Sequence, residues 1–88
     1  MSVFSVEFSP AAAQDLKRLD PPIRLQLLRA SAVLGEAPHP GSNPRIKVLV
    51  GILPRHYRLR VGDYRIVYRI ENSRVIVVRV AHRREAYR

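Results

Sequence analysis

Three arginines that alternate with apolar residues are the side chains of this sequence best suited to chemistry. They are Arg58, Arg60 and Arg65, and a predicted two-residue turn at Gly62 and Asp63 separates the first two from the third. Strand geometry then places all three on one face, with Arg60 directly opposite Arg65. Such cross-strand pairs change stability by roughly 0.2–1 kcal/mol, and like charges in opposition destabilise. The arginines either spread into solvent or await a polyanion, and phosphate suits them because guanidinium binds it bidentately.

The end of the chain adds groups that can transfer protons and stack on bases. His82 carries an imidazole, the side chain that most often acts as a general acid or base, and Tyr87 offers an aromatic ring. Arg83 and Arg84 add charge, and Lys47, in an earlier apolar run, can contact a phosphate. Together with the hairpin arginines, these residues predict a surface that binds phosphates.

RNA cleavage is a reaction that such residues can perform without a metal. The neighbouring 2′-OH attacks the phosphate, which requires a base, positive charge on the phosphorane-like transition state, and an acid for the 5′ oxygen. Arginine stabilises the charge but is a poor base, because its pKa lies above ~12. The candidate bases are His56, His82, Glu85 and Tyr87. We expect no metal and no cofactor, because the few carboxylates form no ligand cluster in the sequence.

Length and composition limit the class of protein. The chain has 88 residues, no cysteine and a formal net charge of +9, which suits a single domain over residues 1–88 that needs no disulfide. The charge predicts an anionic partner, such as RNA, DNA, a ribosome surface or an acidic protein. Because the sequence has neither a leader nor an apolar run of ~20 residues, we expect a cytoplasmic protein that begins at Met1 and has no membrane partner.

Periodicity predicts an α+β domain in the order β–α–α–β–β–β, with an N-terminal helical hairpin on one face of a small antiparallel-rich sheet. Residues 2–8 alternate as a strand. Ser9 and Asp20, each followed by proline, predict helices over 11–19 and from 21 to about 35. The later strands are predicted at 46–50, on either side of Gly62 and Asp63, and at 74–81.

A second two-residue turn, at Asn72 and Ser73, predicts the register of the last strand. Counting outwards from this turn gives the pairs Tyr68 with Val77, Val67 with Val78, and Arg65 with Val80. In this register His82 falls on the same face as Arg65. The apolar face of the hairpin meets the helices, and the arginine face is predicted to remain open.

Three stretches of the chain resemble the RelE branch of the RelE/ParE toxin superfamily. They are Lys47-x-Leu49-x-Gly51, the hairpin over 57–68, and the ending His82-Arg83-Arg84-Glu85-Ala86-Tyr87. The resemblance covers nearly the whole chain. It implies the toxin of a type II toxin–antitoxin system, an endoribonuclease that cuts mRNA in the A site of the 70S ribosome. It also implies an acidic, RelB-like antitoxin that wraps the toxin, and operator DNA bound through their complex.

The resemblance assigns roles to single residues. The hairpin arginines are expected to clamp phosphates. Arg83 is expected to stabilise the transition state and protonate the leaving oxygen, while Tyr87 stacks on a base and His82 assists proton transfer. Some members carry lysines where this chain has Arg58 and Arg60. Lysine can act as a base and arginine cannot, so proton transfer is expected to move to His82 or Tyr87.

Two other functions fit parts of the sequence. The ParE branch shares the fold but poisons DNA gyrase, so the fold alone does not choose between the branches. Its members generally lack this set of basic residues and the terminal tyrosine. Arg65, Arg83 and Tyr87 together therefore favour the nuclease. The remaining alternative is a non-toxic binding module, either a degenerate toxin or a co-repressor that binds DNA with its antitoxin.

Overall fold

Two helices pack on a mixed five-stranded sheet, which confirms the predicted fold class. The computed structural model describes residues 3–51 and 54–82. The elements are β1 (Ser5–Phe8), α1 (Pro10–Lys17), α2 (Pro21–Val33), a 3-10 turn (Pro40–Ser42), β2 (Ile46–Leu49), β3 (His56–Val61), β4 (Tyr64–Glu71) and β5 (Arg74–His82). All five strands lie where the sequence predicts them; the predicted order β–α–α–β–β–β counts one strand fewer than those five predicted ranges. Within the described ranges, no helix is long and apolar enough to cross a membrane.

The sheet has the strand order β1-β5-β4-β3-β2, and only the β1–β5 pair is parallel. Its core lies between one sheet face and the helices. Tyr68, at the centre of β4, is fully buried, stacks on Tyr57 and donates its hydroxyl to the carbonyl of Pro38 at 2.6 Å. This hydrogen bond fastens the loop after α2 to the sheet. The other fully buried large apolar residues are Leu27, Leu34, Ile66, Val75 and Val77.

The first helix begins as the sequence predicts. Ser9 takes the N-cap position with an extended backbone, and its Oγ accepts the N–H of Ala12 at 3.1 Å. Arg24 of α2 ties the two helices together by donating to the carbonyl oxygens of Leu16 and Leu19, at 3.1 and 2.9 Å. The N-cap residue of the second helix, Asp20, has the extended backbone of a cap but makes no side-chain cap hydrogen bond, so Arg24 is the polar side chain that links the two helices.

The β3–β4 hairpin confirms the predicted register. Val61 pairs with Tyr64, and Arg60 pairs with Arg65. Gly62 has a φ of 58°, in the left-handed region that glycine adopts at low cost, so the turn holds two residues as predicted. Because successive residues of a strand point to opposite faces, this register fixes which side chains point away from the helices.

The last strand departs from the predicted register after its first half. The observed pairs are Tyr68 with Val77, Val67 with Arg79, Arg65 with Ala81, and Tyr64 with His82. Val78 is therefore an extra residue, a β-bulge, and the predicted pairs of Val67 with Val78 and of Arg65 with Val80 are wrong. A slip of one residue moves every following side chain to the other face. His82 consequently lies on the helix side, and its predicted place on the face of Arg65 is wrong.

Contacts with helix α1 explain why the bulge forms at this point. The Oγ of Ser9 donates to the carbonyl of Val78 at 3.0 Å. At the other end of the helix, the carboxylate of Asp15 accepts the N–H of Val80 at 2.9 Å and two guanidinium hydrogens of Arg79, at 2.9 and 3.2 Å. Ser9 thus binds the extra residue itself and Asp15 binds the two residues after it, and these contacts join positions more than 60 residues apart.

Candidate phosphate-binding face

Basic side chains gather on the sheet face that points away from the helices. We call five of them the basic cluster: Arg45, Lys47, Arg58, Arg60 and Arg65. Register places Lys47 beside Arg58 and Arg60 beside Arg65. The N–H of Arg60 donates to the carbonyl of Arg45 at 3.1 Å, which brings Arg45 beside Arg60. The structure therefore brings together four predicted phosphate-binding residues and adds Arg45, which precedes β2.

Two clefts open within the basic cluster. One, of about 370 Å³, is lined by Arg45, Arg60, Gly62 and Arg65. The other, of about 420 Å³, is lined by Pro44, Arg45, Lys47, Arg58 and Arg60. Arg45 and Arg60 line both clefts, so they stand between two neighbouring positions where an anion can bind.

Arg65 differs from the rest of the basic cluster in its burial. It is 8% exposed, whereas Arg45, Lys47 and Arg60 are exposed and Arg58 is half-buried. A charge that is shielded from water interacts more strongly with an approaching anion, because the effective dielectric constant is lower. Burial also restricts its rotamers, so Arg65 can present a fixed guanidinium while Arg60 contributes an adaptable one.

Ion pairs occupy the other end of the same face. Arg74 donates to both carboxylate oxygens of Glu7, at 2.7 and 2.9 Å, and holds the pKa of Glu7 below its usual value. Arg69 pairs with Glu71, which also lies 3.9 Å from Arg74. Apart from Arg65, members of the basic cluster form no ion pair with a carboxylate within residues 3–51 and 54–82. The uncompensated positive charge is therefore concentrated at one end of the face.

The two histidines considered as bases lie on different faces. His56 pairs with Leu49 and shares the face of the basic cluster; its Nδ1 lies 2.6 Å from the carbonyl oxygen of Pro54. A carbonyl only accepts, so Nδ1 is the donor in this hydrogen bond. His82 packs edge-on against Tyr64, with ring centroids 5.3 Å apart, on the helix side.

Four other predicted residues, Arg83, Arg84, Glu85 and Tyr87, lie outside the described residues. Among the described ones, no group of three or more histidine or carboxylate side chains could hold a metal ion. The sequence reasoning missed Arg45, although a signal existed. Arg45 and Lys47 are two residues apart at the start of a strand, and that spacing places them on one face.

Comparisons with known proteins give the class of protein to which this fold belongs. A family model described as the ParE toxin of type II toxin-antitoxin system, parDE, matches residues 6–87. Toxin RelG of Mycobacterium tuberculosis (strain ATCC 25618 / H37Rv) is 33% identical over 97% of each chain. In the toxin-antitoxin complex RelBE2 from Mycobacterium tuberculosis, one chain matches with a TM-score of 0.78 and 30% identity over 93% of each chain. The intact E. coli RelBE complex matches with a TM-score of 0.74 and 25% identity, over 90% of this chain and 95% of that one.

The fold and these matches therefore place the chain in a class of small toxins with an α+β domain. The chain belongs to the RelE/ParE superfamily of toxins from type II toxin–antitoxin systems, which confirms the resemblance noted in the sequence.

Proposed function

We propose that this toxin is a ribosome-dependent endoribonuclease that cuts mRNA in the A site. The observation that carries the proposal is the pair Arg60 and Arg65, which line one cleft from adjacent strands. Two guanidinium groups at one cleft suit a phosphate whose negative charge grows in the transition state. Arg58 and Lys47, at the second cleft, would hold a neighbouring phosphate.

The reaction proposed is attack by the 2′-OH on the adjacent phosphorus, without a metal ion. A base removes the hydroxyl proton, a bond forms between the 2′ oxygen and phosphorus, and the bond to the 5′ oxygen breaks as an acid protonates it. The products are a 2′,3′-cyclic phosphate and a 5′-OH. Arg65 and Arg60 stabilise the phosphorane-like transition state, for which preorganised donors are each worth roughly 10²–10³ in rate.

Proton transfer is assigned by the face on which each residue lies. His56 shares the face of the basic cluster and is the better placed of the two histidines to act as the base. His82, on the helix side, would need to act at the end of β5. Arg83 is retained as the proposed acid, Tyr87 as the residue that stacks on a nucleotide, and Arg84 as a phosphate contact.

The proposed protein partner is an acidic, RelB-like antitoxin that wraps the toxin in the cytoplasm. Two observations support it. The matched M. tuberculosis and E. coli chains come from toxin–antitoxin complexes, and Arg45, Lys47, Arg58 and Arg60 offer an acidic chain positive charge that no carboxylate among residues 3–51 and 54–82 pairs with. Operator DNA would be bound through that complex.

Primer extension on mRNA in a translating extract tests the nuclease directly. Cuts should fall within codons in the A site and should disappear when ribosomes are omitted. Arg60→Gln should slow cleavage by about 10²–10³-fold, because it removes an exposed cation from the cleft without disturbing the core. Arg29→Gln, the same change on the exposed side of α2, is the matched control and should cleave like the wild type. Equal rates for the two variants would contradict the assigned site.

A non-enzymatic gyrase inhibitor is the second candidate function, because the matching family model is described as a ParE toxin. The assay is DNA supercoiling by purified gyrase in the presence of the toxin. Inhibition of supercoiling together with intact mRNA would favour this candidate over the nuclease. If the toxin neither cut mRNA nor inhibited supercoiling, and did not slow growth, a basic binding module would be the remaining candidate function.

A further inference from the structure

Arg45 occupies a position that the nuclease proposal does not use. It lies immediately before β2, at the outer edge of the sheet, and its side chain is exposed. It lines both clefts of the basic cluster, one with Arg65 and the other with Lys47. Arg45 therefore extends the positive surface from β4 and β3 towards the free edge of the sheet.

The backbone of Arg45 is held on both sides, although the residue lies outside a strand. Its N–H donates to Oδ1 of Asn43 at 2.9 Å. Its carbonyl accepts the N–H of Arg60 at 3.1 Å and a guanidinium hydrogen of Arg58 at 3.3 Å. A fixed backbone lowers the entropy that the side chain must lose on binding. Arg45 also holds Arg58 in place through its own carbonyl oxygen.

The charges on this face indicate the kind of ligand that suits Arg45. It forms no ion pair with a carboxylate in the described part of the chain, and its guanidinium offers a planar fork of donors that matches phosphate. At the far end of the face, by contrast, Glu7 and Glu71 already neutralise the arginines. A polyanion that lies on this face gains charge contacts towards the β2 edge and meets carboxylates in the other direction.

We propose that Arg45 is a phosphate-binding residue, and that single-stranded RNA on this face runs from the cleft at Arg65 towards the β2 edge. The proposal rests on the nuclease function in that it takes RNA as the ligand. It adds a phosphate contact beyond Arg58 and Arg60, and it gives the RNA a direction across the sheet.

The experiment is equilibrium binding of a fluorescently labelled single-stranded RNA with 2′-O-methyl sugars, which cannot be cleaved by 2′-OH attack. Affinity is measured at several salt concentrations between about 50 and 200 mM. Each phosphate contact on a single strand contributes about 0.7 to the slope of log affinity against log salt. Arg45→Gln should therefore lower the slope by about 0.7, and Arg45→Lys should keep it. Arg29→Gln is again the control for net charge and should leave the slope unchanged.

The outcomes separate this inference from the nuclease proposal. A lower slope for both Arg45→Gln and Arg60→Gln supports the added contact. If Arg60→Gln lowers the slope and Arg45→Gln does not, the inference is wrong while the RNA-binding cleft stands. A slope that changes equally in Arg29→Gln reports net charge alone and overturns the inference. If none of these variants changes the slope, RNA does not bind this face and both proposals fail.

Discussion

Asp15 is expected to be the most important polar side chain for the stability of the sheet end that carries Arg65. Its carboxylate is 10% exposed and accepts the backbone N–H of Val80 and the guanidinium of Arg79. In Asp15→Ala, the N–H of Val80 loses its acceptor in a part-buried place. Leaving such a donor unpaired costs about 1–3 kcal/mol. The side chain of Arg79 is 59% exposed, so the lost ion pair adds at most about 1 kcal/mol.

The predicted loss for Asp15→Ala is therefore about 2–4 kcal/mol in the free energy of unfolding. In a domain of this size, that corresponds to a fall of roughly 10–30 °C in the midpoint of thermal unfolding. Urea unfolding followed by far-UV circular dichroism at neutral pH measures the free energy. Asp15→Asn keeps an oxygen for the N–H of Val80 and should lose less.

Arg79→Gln is the matched control for this prediction. It removes the exposed ion pair but leaves the bond from Asp15 to the N–H of Val80, so it should cost no more than about 1 kcal/mol. If Asp15→Ala cost no more than Arg79→Gln, the backbone hydrogen bond at the bulge would not contribute to stability. The account of why β5 shifts register would then have to be abandoned.

Tyr68→Phe should cost about 1–2 kcal/mol in urea unfolding, because the buried carbonyl of Pro38 loses its donor. Burial raises the pKa of Tyr68 in the folded state. The stabilisation that follows from this raised pKa is complete below pH 10, the ordinary pKa of a tyrosine, and it decreases as the pH rises above 10. Above pH 10, wild type should lose about 1.4 kcal/mol more per pH unit than Tyr68→Phe; parallel curves would contradict the raised pKa. Glu71→Gln should release Arg69 but leave the salt slope of RNA binding unchanged, because the proposed RNA runs from Arg65 towards the β2 edge; a slope raised by about 0.7 would mean that RNA also reaches the Glu71 end of the face.

The features that the sequence alone determined are local. Gly62 specifies a two-residue turn, and alternation on either side of it sets Arg60 opposite Arg65, so the arginine face and the apolar face follow without any knowledge of the helices. The cap at Ser9 likewise depends on residues a few positions apart. Interactions over such short separations are visible as sequence patterns.

Tertiary structure decided the features that depend on distant residues. The bulge at Val78 arises from contacts with Ser9 and with the end of α1, and it moves His82 to the helix side, which no count from the preceding turn could foresee. Arg45 joins the arginines because β2 pairs with β3, and Glu7 neutralises Arg74 because β1 lies beside β5. The physical reason is the same in each case. A strand's own pattern determines which residues share a face, but the neighbouring elements determine the register and the partners of each charge.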